Sequence, residues 1–267
     1  MRGLSTRTVI VSGAASGIGL ATAAAAVRAG AKTALLDRDA PAVTEAARRL
    51  GPADGVVPVV CDVTQRDQVE AALETVTSRW GAVHGVVSSA GVETGAASHL
   101  VELADWRRTL DINLTGTFLL CQAVLRAHDG VPRGEMPRDG MLSIVCVSSP
   151  AAFVGFAAGE NAAYSASKGG VSALVRTLAV EYARRGVRVN AVVPGATETP
   201  LMWAKVPEAE VAAVRREVEQ AVPLGRLADP AEIADAILWL LSEDSRYVTG
   251  SHLVCDGGLL AKAAITV

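Results

Sequence analysis

The sequence predicts an α/β protein built on a doubly wound, parallel sheet of about seven strands with helices on both faces. Three observations predict it. Short β-branched runs alternate with alanine-rich stretches of helical period almost to the end of the chain, the order that a parallel sheet with helical crossovers requires. A glycine-rich turn joins the first of these runs to the first helical stretch. The chain has 267 residues, 50% of them hydrophobic, which is enough for one large core, and no repeat, low-complexity tract or linker divides it. The reading is therefore a single domain over 1–267, with its ligand site outside the carboxyl ends of the strands.

Taken in order, strands are expected at 8–12, 33–36, 56–61, 83–88, 142–148, 188–193 and 252–255, each a short β-branched run. Helices are expected between them at 17–29, 41–50, 65–80, 102–127, 162–185 and 230–242. The fifth of these carries apolar residues at Val171, Leu174, Val175, Leu178 and Val180, which reads as a buried helix. Two segments stand outside the alternation. Residues 128–140 hold Pro132, Pro137 and three glycines among charges, which fits an exposed loop. Residues 197–223 begin with apolar Leu201, Met202 and Trp203 and continue as a charged amphipathic stretch, a natural lid at the ligand edge of the sheet.

Composition excludes several classes of function. The net charge is −3 and no basic run occurs, which argues against nucleic acid or an anionic membrane as partner. No charge-free apolar stretch of about 18–20 residues exists, so no transmembrane helix is expected. The first seven residues lack the apolar core of a signal peptide, and a cytoplasmic protein is expected. Cys61, Cys121, Cys146 and Cys255 lie far apart in apolar segments and read as free thiols; His84, His99, His128 and His252 show no ligand spacing, so no metal site is expected.

The chemistry is carried by three motifs. Ser12-Gly13-Ala14-Ala15-Ser16-Gly17-Ile18-Gly19 joins the first strand to the first helix, where glycines let a pyrophosphate approach the backbone and the helix N-terminus. Its Gly-x-x-x-Gly-x-Gly spacing departs from the usual dinucleotide fingerprint, and three glycines also suit a plain flexible turn. Asp37 ends the second strand eighteen residues after Gly19, where a carboxylate holds a ribose 2′-hydroxyl and repels a 2′-phosphate. NAD is thus preferred over NADP, although the neighbouring Arg38 is of a type that serves a 2′-phosphate. Tyr164 and Lys168 stand four residues apart, one turn on a helix, and an ammonium beside a phenol lowers its pKa toward use as an acid or base. Alone, such a pair also occurs on ordinary helix surfaces.

Together these motifs resemble the short-chain dehydrogenase/reductase superfamily in its single-domain, Rossmann-type form, over residues 8–259. The 13–19 run is similar to the family's glycine turn, with Ser12 in place of threonine, and Asp62-Val63 to its adenine-contacting pair. Asn113, Tyr164 and Lys168 match the active-site positions, Pro194-Gly195 with Thr197 and Thr199 the nicotinamide side, and Asp256-Gly257-Gly258 the closing segment. Two departures occur. Ser88-Ser89-Ala90-Gly91 stands where the family has Asn-Asn-Ala-Gly, which puts the adenosine contact and a tie between strands in question. The serine Ser149 lies fifteen residues before Tyr164, more than the usual spacing; matching Gly155 favours it over Ser148 and puts the extra residues within 157–163.

The resemblance implies an NAD-dependent oxidoreductase interconverting a secondary alcohol and a ketone. Tyr164 is then the acid or base, Ser149 holds the substrate oxygen, Lys168 binds ribose and lowers the tyrosine pKa, and Asn113 orders a proton-carrying water. It also implies a homotetramer or homodimer through the helices at 102–127 and 162–185. Val154, Phe156, Met202 and Trp203 would line an apolar substrate pocket, although core and lid packing explains them equally well. Glu93, Thr94 and Glu160 offer polar contacts on the same terms. An NADPH-linked reductase of acyl-chain ketones is the nearest alternative, and a non-catalytic nucleotide-binding protein the alternative from another class.

Overall fold

The computed structural model describes residues 2–129, 142–156 and 160–262. Most of the loop expected at 128–140 and part of the segment expected to hold the extra residues, 157–159, lie outside them. The strands are β1 Thr8–Ser12, β2 Lys32–Asp37, β3 Val56–Val60, β4 Gly85–Ser88, β5 Leu142–Val147, β6 Val187–Pro194 and β7 His252–Cys255. All their pairings are parallel, in the order β3-β2-β1-β4-β5-β6-β7, so the winding reverses between β1 and β4. Every expected strand is present, with ends shifted by a few residues.

The strands read as unbroken apolar runs because both faces of the sheet are covered. Ile10, Ile144 and Val189 point to one side, where they pack under α3 (Arg66–Trp80), α5 (Gly116–Asp129) and α6 (Ala162–Tyr182). Val9, Val11, Val145 and Val192 point to the other, against α1 (Gly17–Arg28), α2 (Ala40–Leu50) and α9 (Pro230–Leu241). No helix among the described residues is long and apolar enough to cross a membrane.

Two helical expectations need correction. The helix expected over 102–127 is two, α4 (Leu103–Leu110) and α5, joined by a π-helical turn at Asp111–Thr115 with the fully buried Asn113 in its middle. Apolar periodicity passes over this insertion, because bonds from elsewhere in the fold hold the turn open. The helix at 162–185 stops at Tyr182 in a tight 3₁₀ turn that ends on left-handed Gly186. Residues 197–223 contain two helices, α7 (Pro200–Trp203) and α8 (Val211–Ala221).

Opposite the carboxyl edge of the sheet, two buried arginines hold the end of α9. Arg7 Nη1 donates to the Leu241 carbonyl at 2.9 Å, and Arg188 Nη2 donates to those of Leu240 and Ser242 at 2.8 and 3.1 Å. Cations at a helix C-terminus satisfy its orphan carbonyls and oppose the partial negative charge there. Burial, and then the charge of Arg7, lowers the Arg188 pKa to about 10, so Arg188 remains a cation at neutral pH. Arg188→Met strands these carbonyls and should lower stability by about 2–4 kcal/mol in urea unfolding. Arg188→Lys should restore only part, since one ammonium cannot span them; a wild-type midpoint for the Met variant would refute the role.

Candidate active site

The carboxyl ends of the strands open onto a cleft of about 830 Å³. Gly13, Ser16, Gly17, Ile18, Asp37, Arg38, Asp62, Val63, Ala90 and Gly91 line one end of it. Ser149, Tyr164, Lys168, Pro194, Gly195, Thr197 and Thr199 line the middle, and Phe156 and Met202 the far end. Gly19, Asn113, Val154 and Trp203 do not reach it.

The turn after β1 is shaped by close approach. Gly13 has a φ of 66°, and a Cβ on it would stand 2.8 Å from the Ala90 backbone. A Cβ on Gly19 would meet the Gly13 carbonyl oxygen at 2.1 Å, so Gly19 acts beneath the cleft by letting α1 pack on the turn. Ser16 begins α1 without a side-chain cap, which leaves first-turn N–H groups available to an anion. Asp37 is oriented by the same turn and by the chain that follows it: the Ala15 N–H donates to its Oδ2 and the Asp39 N–H to its Oδ1, each at 3.1 Å. Arg38 beside it is exposed. Asp62 Oδ1 accepts from the N–H and hydroxyl of Thr64 at 2.9 and 2.8 Å, which fixes the carboxylate at the cleft wall.

The Ser88-Ser89 departure does not cost the tie between strands. Ser12 Oγ accepts from the N–H groups of Ser89 and Ala90 at 3.2 and 3.3 Å, and the Ser88 hydroxyl pairs with that of Thr117 at 2.9 Å. At the other side of the cleft Thr199 accepts from Met202 N and caps α7, while Thr197 bridges to Ala228.

Tyr164 opens onto the cleft from the first turn of α6, with the Lys168 ammonium 5.5 Å from its ring centre. The Lys168 side chain is buried and Nζ donates to the Val147 carbonyl at 2.8 Å. Burial lowers the Lys168 pKa to about 8. The lowered tyrosine pKa expected from the spacing is not found in the protein alone: burial pushes it up to about 12, against a smaller lowering by Ser149 and with a further push from Glu93. Withheld water disfavours the phenolate more than an ammonium lying over the ring favours it.

The two serines separate clearly. Both line the cleft, but the Ser148 hydroxyl is engaged with Ser172 Oγ at 2.9 Å, whereas Ser149 is the one that acts on the Tyr164 phenol. The Asn113 side chain is also committed. Its amide donates to the Val92 carbonyl and Ser167 Oγ at 2.9 and 3.0 Å, and its Oδ1 accepts from the Val92 N–H at 2.8 Å. It therefore fastens the loop after β4 to α6, leaving one Oδ1 lone pair for a water. A Cβ on Gly91 would fill the space beside that oxygen and Lys168 Nζ, at 3.4 and 3.6 Å.

At the far end two expected residues are misplaced by sequence reasoning. Val154 is exposed on a turn, and Trp203 faces away: its Nε1 donates to Glu198 at 2.7 Å, and the Arg215 guanidinium lies 4.8 Å from its ring. Leu201, Val218, Ala221, Val222 and Leu259 line the apolar wall instead, with Asn161, three residues before Tyr164, also on the cleft. The helical spacing of Val211, Val214, Val218 and Ala221 was the available signal. Of the polar candidates Glu93 lines the cleft, Thr94 bonds Thr109, and Glu160 is not part of the wall. The uncapped helix, the glycine cradle and the oriented Asp37 fit a dinucleotide, and a hydroxyl, a phenol and an ammonium line the cleft beyond them.

Comparison with known proteins agrees with this geometry. Residues 13–260 match the family model described as enoyl-(acyl carrier protein) reductase. The chain is 40% identical over 257 residues to cis-4-hydroxycyclohexanecarboxylate dehydrogenase of Sinomonas cyclohexanicum, covering 96% of this chain and 97% of that protein. It is 36% identical to 3beta-hydroxysteroid dehydrogenase 1 of Eggerthella lenta, covering 95% and 93%. Among solved structures, 3-ketoacyl-(acyl-carrier-protein) reductase from Brucella melitensis complexed with NADH superposes with a TM-score of 0.87 at 29% identity, covering 96% and 99%. The chain belongs to the short-chain dehydrogenase/reductase superfamily of nicotinamide-dependent oxidoreductases.

Proposed function

We propose that the protein is an NAD-dependent dehydrogenase that interconverts a secondary alcohol and its ketone on a small, largely apolar substrate. The convergence of Ser149, Tyr164 and Lys168 where the two ends of the cleft meet carries this reading. The turn 13–19 receives the pyrophosphate at the N-terminus of α1, and Asp37 receives the adenosine ribose. NAD, when bound, supplies the hydride acceptor for alcohol oxidation. Ser149 donates a hydrogen bond to the substrate oxygen, and Tyr164 takes the hydroxyl proton. Lys168 holds positive charge beside the phenolate that accepts this proton, and Asn113 keeps the loop after β4 in place and orders a water with its remaining lone pair.

Phe156, Leu201, Met202 and Val218 give the substrate end an apolar wall that suits a ring-bearing alcohol, and two relatives are named for such substrates. Residues 197–223 act as the lid over it. Exposed Leu103, Phe118 and Val180 support assembly into a homodimer or homotetramer through α4, α5 and α6. Arg38 at the cleft favours a second reading, an NADPH-linked reductase of acyl-chain ketones.

Tyr164→Phe should lower alcohol oxidation by about a thousandfold with the Kd for NAD unchanged; near-normal turnover would overturn the assignment. Asp37→Ser removes the charge that repels a 2′-phosphate and should move the NADP-to-NAD preference by about a hundredfold. A wild-type enzyme that already favours NADPH would select the second reading. Because the phenolate is the base, kcat/KM for oxidation should rise with pH, and Lys168→Met should move that rise to higher pH.

A further inference from the structure

Lys205 follows α7 in the segment over the substrate end, and its Nζ lies 3.3 Å from Oε1 of Glu93 in the loop after β4. The ammonium crosses directly above Gly95, where a Cβ would stand 2.5 Å from Nζ and 3.0 Å from the Glu160 carbonyl oxygen. Glycine at 95 thus lets one lysine side chain span the loop after β4 and the residues before α6, where Glu160 has a φ of 61°. Glu93 lines the cleft, and its charge reaches Tyr164. A single ion pair therefore joins the segments around the mouth of the cleft to the field at the phenol.

Resting on the dehydrogenase reading, we propose that Lys205 and Glu93 are positioning residues whose ion pair latches the lid over the substrate and, when closed, offsets part of the Glu93 charge at Tyr164. Tyr164 is faced by Lys168 from its own helix, by the Ser149 hydroxyl from the turn after β5 and by Glu93 from the loop after β4. The lid's other charged pair, Glu198 and Arg215, is engaged with Trp203. With the side chains of Lys205 and Glu93 39% and 34% exposed, the pair is weak enough to open in each turnover. An open lid leaves the Glu93 charge without this offset and disfavours the phenolate further, so proton transfer is eased once the substrate is covered.

Lys205→Met, Glu93→Gln and the double variant test this in the intact chain with NAD and an alcohol. For kcat/KM of oxidation, Lys205→Met should move the rising limb of the pH profile to higher pH and Glu93→Gln to lower pH. The double variant should follow Glu93→Gln, since Lys205 then has nothing to offset. Chymotrypsin cleavage after Trp203, without substrate, should quicken roughly two- to fivefold in both single variants and no further in the double. Lys205→Arg should behave as wild type in both measurements. Limbs that move together or not at all, or equal cleavage rates across the set, overturn the latch. Failure of the dehydrogenase reading is distinct: wild-type protein then reduces no NAD with any alcohol, and the cleavage rates still decide whether the pair fastens the lid.

Discussion

The site is organised by the need to keep an ammonium charged where water is scarce. Lys168 is 5% exposed, and a buried cation must find acceptors or lose its proton. The Val147 carbonyl meets it at the end of β5, which obliges the chain to turn there and brings Ser149 toward Tyr164. Ser148, between them, anchors that turn to α6 through Ser172 and the Lys168 carbonyl. Gly91 leaves room beside the ammonium, and Asn113 holds the adjoining Val92 backbone. The lysine, more than the tyrosine it accompanies, dictates the positions of its neighbours.

The same constraint explains the division of labour across the sheet. Parallel strands bring all their carboxyl ends to one edge, so turns that present N–H groups, carboxylates and hydroxyls share a single cleft. At the opposite edge Arg7 and Arg188 satisfy the terminal carbonyls of α9. Buried charge therefore appears at both edges, lining the cleft at one and closing a helix end at the other.

Most of the fold was legible because its signals are local. Strands buried on both faces are plain apolar runs, and the turn from Gly13 to Gly19 and the Tyr164–Lys168 spacing lie within a few residues. What escaped depends on distant partners. The π turn at Asn113 is held by Val92, and the orientation of Trp203 by Glu198 and Arg215. The direction of the Tyr164 pKa was missed for the same reason, since spacing reveals the neighbouring cation and says nothing of withheld water.

The arginine cage at the end of α9 also bears on how the chain is made. Arg7 finds its carbonyl acceptor 234 residues further along, and the alanine face of α1, at Ala23 and Ala26, shares its core cluster with Ile233 and Ile237 of α9. A nascent chain leaving the ribosome carries β1 and α1 first; β2 and β4 flank β1 early, yet the alanine face of α1 waits for α9 to emerge. The dinucleotide half of the cleft is thus encoded early and completed late.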